Sequence, residues 1–112
     1  MNRNKLISMF IANLSNAIVH DILEKSIDKQ ELRSHYDAEH SNFLKIAIKY
    51  REKTNPVNFP SPDKDIKHIV DRIKRNVTNE LMLRISKGYK GINLSLVDEY
   101  INKELKKMKI LE

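Results

Sequence analysis

The side chains of this sequence with the widest chemical range are four histidines, His20, His35, His40 and His68. An imidazole can bind a divalent metal or transfer a proton near neutral pH. The chain contains no cysteine, which excludes thiol catalysis, disulfides and iron–sulfur clusters. It contains two glycines, too few for a glycine-rich phosphate loop. Any catalytic or metal chemistry must therefore centre on histidine with carboxylate, hydroxyl or basic partners.

Two of the histidines are predicted to meet across the first helical hairpin. In two antiparallel helices joined near Asp28, residues whose numbers sum to about 55 lie at one level, which pairs His20 with His35. The same rule pairs Glu24 with Glu31. Imidazoles combined with carboxylates suit zinc or iron, so these four residues form a candidate metal site. The alternative is that they are ordinary surface or core-edge residues, because the chain carries 21 basic and 15 acidic side chains.

A second candidate pair, Arg33 and His40, lies on the second predicted helix. Their Arg-x6-His spacing resembles the Arg-x4–6-His motif of HEPN-type helical ribonucleases. The resemblance covers these two residues. It implies that His40 acts as a general acid or base at a 2′-hydroxyl while Arg33 holds the phosphate. The alternative is a partly buried helix histidine beside Phe43.

The elements that must position these residues are four predicted helices. Apolar residues recur at helical spacing, and no segment alternates as a strand does. The helices are predicted over residues 5–27, 29–53, 62–87 and 95–110. The first is apolar on two sides, so we expect it to lie centrally against at least two neighbours. Short connections after the first and second helices favour antiparallel neighbours. The sequence predicts an all-α single domain over residues 1–112, a four-helix bundle with antiparallel helical hairpins.

Capping signals accompany three of the predicted helix starts. Asp28, Ser61 and Ser95 each precede a helix, where a side-chain oxygen can accept hydrogen bonds from the amides of the first turn. Gly88 and Gly91 follow the third helix. We expect them to adopt the left-handed conformation that commonly ends a helix.

The N-terminal segment resembles a signal peptide in having basic residues before an apolar run. Polar residues such as Ser8 and Asn13 interrupt the run, and its apolar positions follow a helical period. The stretch between Lys5 and His20 is also shorter than the ~20 apolar residues that a membrane span needs. We therefore expect a cytoplasmic protein with no membrane association.

Positive charge is concentrated in one part of the chain. The net charge is +6, and residues 54–91 hold eight basic against four acidic side chains. On a helical wheel these basic residues do not form one stripe. If this segment binds RNA or DNA, it does so through phosphates with little sequence readout. The candidate contacts are Lys67, Arg72, Lys74, Arg75, Arg84, Lys87 and Lys90.

The third helix ends in a segment that is apolar on all sides except at Arg84. The predicted partner surface is Leu81, Met82, Leu83 and Ile85. Together with the first helix it offers more apolar surface than one small bundle covers. The leading interpretation is a non-catalytic assembly, adaptor or regulatory protein that self-associates or joins a complex and needs no cofactor. A basic nucleic-acid-binding protein is second, and a metal-binding or HEPN-like ribonuclease bundle is third.

Overall fold

The computed structural model describes residues 2–26, 30–54 and 63–108, and it consists of four helices. They are α1 (Arg3–Ser26), α2 (Gln30–Thr54), α3 (Asp63–Ser86) and α4 (Leu96–Lys107). No strand occurs within these ranges. The helices pack against one another, so the predicted all-α bundle class is confirmed.

Helix α1 is the centre of the bundle, as its two apolar sides predict. It contacts α2, α3 and α4, and α3 also contacts α4. Helix α2 runs antiparallel to α1, because Ala17 meets His40 while His20 meets Glu39. Within the described ranges, no Cα atom of α2 lies within 8 Å of one in α3. The expected pairing of the second and third helices is therefore wrong, since α3 packs on α1 instead.

The core follows from the composition of α1. Nine of its apolar side chains are no more than 6% exposed, and they lie on both apolar sides of the helix. Burying one such side chain is worth about 1.5–3 kcal/mol, so covering α1 is the main source of stability. The nine residues are Ile7, Phe10, Ile11, Leu14, Ala17, Ile18, Val19, Ile22 and Leu23. Helix α3 covers them with Ile69, Ile73, Val77 and Leu81, and α4 with Val97, Ile101 and Leu105.

The end of α3 is closed by glycine, as predicted. The amide of Gly88 donates to the Ile85 carbonyl at 3.0 Å, and the amide of Tyr89 donates to the Arg84 carbonyl at 3.1 Å. This pair of hydrogen bonds is the Schellman motif, which requires a left-handed residue after the helix. Gly88 has φ +99° and Gly91 has φ +82°, so both glycines adopt the expected conformation.

The capping box predicted at Ser95 is wrong. Ser95 precedes α4, but its side chain makes no hydrogen bond to the helix. Its hydroxyl and its amide both donate to Asn93 Oδ1, at 2.6 Å and 3.0 Å. Asparagine competes for local hydrogen bonds in this way because its short side chain reaches nearby backbone groups. The other two predicted caps, Asp28 and Ser61, lie outside the described residues.

Helix α1 is long and apolar enough to cross a membrane by length and composition alone, and 67% of its most apolar window is buried inside the bundle. The expectation that this segment is too short for a span is therefore wrong. A core helix of a soluble protein and a signal sequence pass the same criterion. This feature consequently assigns no location to the chain.

We predict that alanine is tolerated less well at Gly91 than at Gly88. Either substitution places an L-residue at positive φ, which costs about 1–2 kcal/mol. A Cβ at Gly91 would also lie 3.0 Å from the Ser26 carbonyl oxygen, whereas one at Gly88 would meet no atom within 4 Å. Urea unfolding of the two variants measures this difference. Equal losses of unfolding free energy would contradict the close approach of this loop to α1.

Candidate functional site

Glu39 of α2 lies between two histidines. His35 Nε2 is 2.9 Å from Glu39 Oε1, and His20 Nε2 contacts Glu39 Oε2. His20 is 8% exposed, whereas the His35 side chain is 61% exposed. The structure thus brings His20 and His35 to one carboxylate, but this carboxylate was not among the predicted ligands.

The predicted metal site at His20, Glu24, Glu31 and His35 is not assembled among the described side chains. In that part of the chain one group of three metal-ligating residues has its ligand atoms close together, and it contains none of the four. The Glu31 side chain lies outside the described residues. The error comes from the helix register, because His20 faces Glu39, one turn beyond the expected His35.

His20 is held as a hydrogen-bond donor. Its Nδ1 lies 2.7 Å from the Asn16 carbonyl oxygen, which can only accept, and its Nε2 contacts the Glu39 carboxylate. Both contacts are satisfied when both ring nitrogens carry a proton. The ring also packs against Tyr36 and Phe43, with centroid distances of 5.6 Å and 5.3 Å. His20 is thus held between the Asn16 carbonyl and the Glu39 carboxylate at the edge of the core, with Glu39 against its Nε2.

A second polar cluster joins three helices. One ligand atom each from Asp21 of α1, His40 of α2 and Glu104 of α4 lies within 4.8 Å of the other two. Asp21 is 6% exposed and Glu104 is 1% exposed. Sequence analysis missed this cluster, although Glu104 stands on the apolar stripe of α4 with Ile101 and Leu105. A charged residue on a buried stripe was the signal that could have revealed it.

The carboxylates of Asp21 and Glu104 repel each other when both are ionised. Two negative charges within 4.8 Å of each other repel by at least about 3 kcal/mol at the effective dielectric of protein sites. Lys103 Nζ lies 3.7 Å from Asp21 Oδ2, and Lys107 Nζ lies 3.9 Å from Glu104 Oε1. Both lysines are exposed at 43% and 63%, so their contribution is small. Glu104 Oε2 is buried and accepts no hydrogen bond from any described residue.

His40 is oriented by the backbone of α1. Its Nδ1 lies 2.7 Å from the Ala17 carbonyl oxygen, so Nδ1 carries the proton and Nε2 carries the lone pair of the neutral ring. The Arg33 side chain, which the ribonuclease resemblance pairs with His40, lies outside the described residues. Their seven-residue separation on one helix corresponds to about 10 Å along its axis.

The predicted nucleic-acid contacts are distributed over α3 and the loop that follows it. Lys67, Arg72, Arg75, Lys87 and Lys90 are exposed. Lys74 Nζ lies 3.1 Å from Asp98 Oδ1, and Arg84 Nε lies 3.3 Å from Glu80 Oε1. Two of the seven predicted cations are therefore paired with carboxylates of the same chain.

Of the predicted partner surface, one residue is buried in the core and the other three are exposed. Leu81 is fully buried, so it belongs to the interior and not to a surface. Met82, Leu83 and Ile85 are 55%, 48% and 40% exposed, and Tyr89 beyond the helix end is 39% exposed. The last turn of α3 extends past its final core residue and therefore presents apolar side chains in several directions.

The structure contains a cavity beside Glu104 and a groove beside Leu83. A cavity of about 240 Å³ between α2 and α4 has apolar walls that include Leu44, Ile48 and Met108, and buried Glu104 also lines it. Arg51 lines the same cavity and donates from Nε to the Met108 carbonyl oxygen at 3.2 Å. Burial lowers the pKa of the Arg51 guanidinium from its ordinary value. A groove of about 370 Å³ between α1 and α3 has Leu83 in its wall.

Comparison with known proteins gives no match. Neither models of protein families, nor curated proteins, nor solved structures are similar to this chain. The function must therefore be argued from the geometry of the chain itself.

Tyr36 and Tyr89 tie the loop after α3 to α2. Burial raises the pKa of the Tyr36 phenol, and the hydrogen bond with Tyr89 adds to that increase. The folded protein therefore holds this proton to a higher pH than the unfolded chain does. The corresponding stability is complete below about pH 10 and is lost as the pH rises from there through the folded-state pKa.

We predict that Tyr36→Phe reduces the alkaline loss of stability, because phenylalanine has no proton to release. Urea unfolding midpoints between about pH 9 and pH 11 measure this loss. Tyr100→Phe removes a phenol outside this hydrogen bond and is the matched control. An unchanged alkaline decline in Tyr36→Phe would contradict the burial of the Tyr36 hydroxyl.

Proposed function

We propose that this protein acts by binding a second copy of itself through the end of α3. The observation that carries this proposal is the α3 tip, defined as Met82, Leu83, Ile85 and Tyr89, where each large apolar side chain is between 39% and 55% exposed. Apolar side chains left half exposed retain about half of their burial free energy for an interface. Clustered exposure of this kind marks interaction sites more often than scattered apolar residues do.

The charges around the α3 tip favour a second copy as the occupant. Glu80 precedes the tip, Lys87 lies between Ile85 and Tyr89, and Lys90 follows the tip. If two α3 helices pack antiparallel across a two-fold axis near Leu83, Glu80 of each copy, which is paired with Arg84 of its own chain, also approaches Lys87 of the other. Isologous interfaces of this type are the commonest in homodimers. The same surface is thus self-complementary in both apolar character and charge.

A nucleic acid is a weaker candidate for this surface. Base stacking would favour exposed aromatic rings, but Tyr89 is hydrogen bonded to Tyr36 and packs against Arg84, whose Cζ lies 5.7 Å from its ring centroid. Two of the seven candidate cations, Lys74 and Arg84, are paired with Asp98 and Glu80. The other five are exposed, but they are spread over α3 and the following loop and form no single stripe along which a phosphate backbone could lie.

We expect Leu83→Asp to convert a dimer into a monomer. A buried charge at an interface centre should weaken self-association by at least about 100-fold. Sedimentation velocity from about 1 to 100 µM covers the range in which homodimers of micromolar affinity dissociate. Because Leu83 is 48% exposed in one chain, its helical content and melting temperature should hardly change.

Ile48→Asp is the matched control, since Ile48 is 46% exposed on α2, away from the α3 tip. This variant should dimerise as the wild type does. A wild type that stays monomeric over the whole concentration range overturns the proposal. Equal weakening by the two variants overturns it as well. A monomer that binds mixed-sequence RNA or DNA in a salt-sensitive way would instead favour the nucleic-acid interpretation.

A further inference from the structure

Three helices contribute one metal-ligating side chain each to a single point in the interior. Asp21, His40 and Glu104 lie 19 and 64 residues apart along the chain, yet their ligand atoms fall within 4.8 Å of one another. We propose that these three residues bind a divalent transition-metal ion such as Zn²⁺. This site shares no residue with the α3 tip and is independent of self-association.

The spacing is close to that of a formed site. Ligand atoms about 2.1 Å from one tetrahedral zinc ion lie about 3.4 Å from each other. The observed separations within 4.8 Å require side-chain adjustments of about an ångström and no movement of the helices. Sites that already hold their ligands in this way bind a metal without a large ordering cost.

His40 has the orientation typical of a metal-binding histidine. Such residues almost always donate their second ring N–H to a carbonyl or a carboxylate, which fixes the ring and leaves the other nitrogen free to ligate. His40 Nδ1 donates to the Ala17 carbonyl at 2.7 Å, so Nε2 is the nitrogen available to a cation. His20 donates in the same way to the Asn16 carbonyl, but its Nε2 already contacts Glu39.

The buried Glu104 carboxylate is a second, independent observation that points to a bound cation. It is 1% exposed, and its Oε2 accepts no hydrogen bond within the described part of the chain. Lys107 touches only Oε1, at 3.9 Å, and Lys103 lies 3.7 Å from Asp21 Oδ2, but both lysines are exposed and compensate the buried carboxylates weakly. A buried carboxylate beside a second one is costly unless a positive charge compensates both. A divalent ion provides that charge at the point where the two carboxylates and His40 meet.

The donor set selects the class of metal. One imidazole nitrogen with two carboxylates suits Zn²⁺, Fe²⁺ or Mn²⁺, whereas Mg²⁺ and Ca²⁺ prefer oxygen ligands alone. Water would complete the coordination. His40 is partly exposed, and the cavity between α2 and α4 reaches Glu104, so the ion has a path from solvent.

The test uses the full chain after treatment with EDTA and Zn²⁺ alone as the probe. Isothermal titration should give one ion per chain, and Zn²⁺ should raise the melting temperature because binding to the folded state stabilises it. Glu104→Gln and His40→Gln should each weaken Zn²⁺ binding at least about 100-fold, the upper end of the losses seen even for supporting residues. Mg²⁺ should leave the melting temperature unchanged.

Glu39→Gln is the matched control, because it removes the carboxylate of the neighbouring His20–Glu39–His35 group and should leave Zn²⁺ affinity intact. Without metal, Glu104→Gln should melt at or above the wild-type temperature, since it removes a buried repulsion. With Zn²⁺ the wild type should have the higher melting temperature. Should Glu104→Gln fail to fold, Asp21→Asn takes its place. The proposal is overturned if the wild type does not bind Zn²⁺. It is also overturned if Glu39→Gln loses Zn²⁺ binding while Glu104→Gln or Asp21→Asn keeps it.

Discussion

The structure depends on the need to cover α1 on nearly all sides. Its apolar side chains lie on two arcs, and from Ile7 to Leu23 most of them are withdrawn from water. No single partner helix can cover both arcs, so α2, α3 and α4 all pack on it. Helices α2 and α3 therefore pack mainly on α1, and in the described ranges none of their Cα atoms lie within 8 Å of each other. The amphipathic helices around α1 bury one side each and leave the other to solvent.

The same constraint explains the buried polar groups. His20 and Asp21 are adjacent buried residues of α1, and each meets different polar side chains of the surrounding helices. His20 meets Glu39, and Asp21 meets His40 and Glu104. In the first group the carboxylate contacts both histidines. The second joins two acids and one histidine, and two exposed lysines, Lys103 and Lys107, are the cations that reach its carboxylates.

Local rules predicted the helices and the glycines after α3, but not the Ser95 cap, whose hydroxyl and amide donate to Asn93 instead. Apolar periodicity predicts the four helices and the central position of α1, and the conformations of Gly88 and Gly91 follow from their place after α3. Features set by three-dimensional packing were not accessible. The hairpin rule misplaced α2 by one turn, because side-chain packing between the helices pairs His20 with Glu39. In an apolar run such as residues 81–85, only packing shows that Leu81 is in the core while Leu83 is outside.

Because α2, α3 and α4 all pack on α1, we expect α1 to be the last helix to lose its protection from solvent. Native-state hydrogen exchange of the full chain, followed amide by amide, measures this directly. We expect the amides from Phe10 to Leu23 to exchange only when the whole protein unfolds, and to be at least as protected as those from Ile69 to Leu81 in α3. Faster exchange in α1 than in α3 would show that α1 leaves the bundle independently, and would contradict its role as the common core.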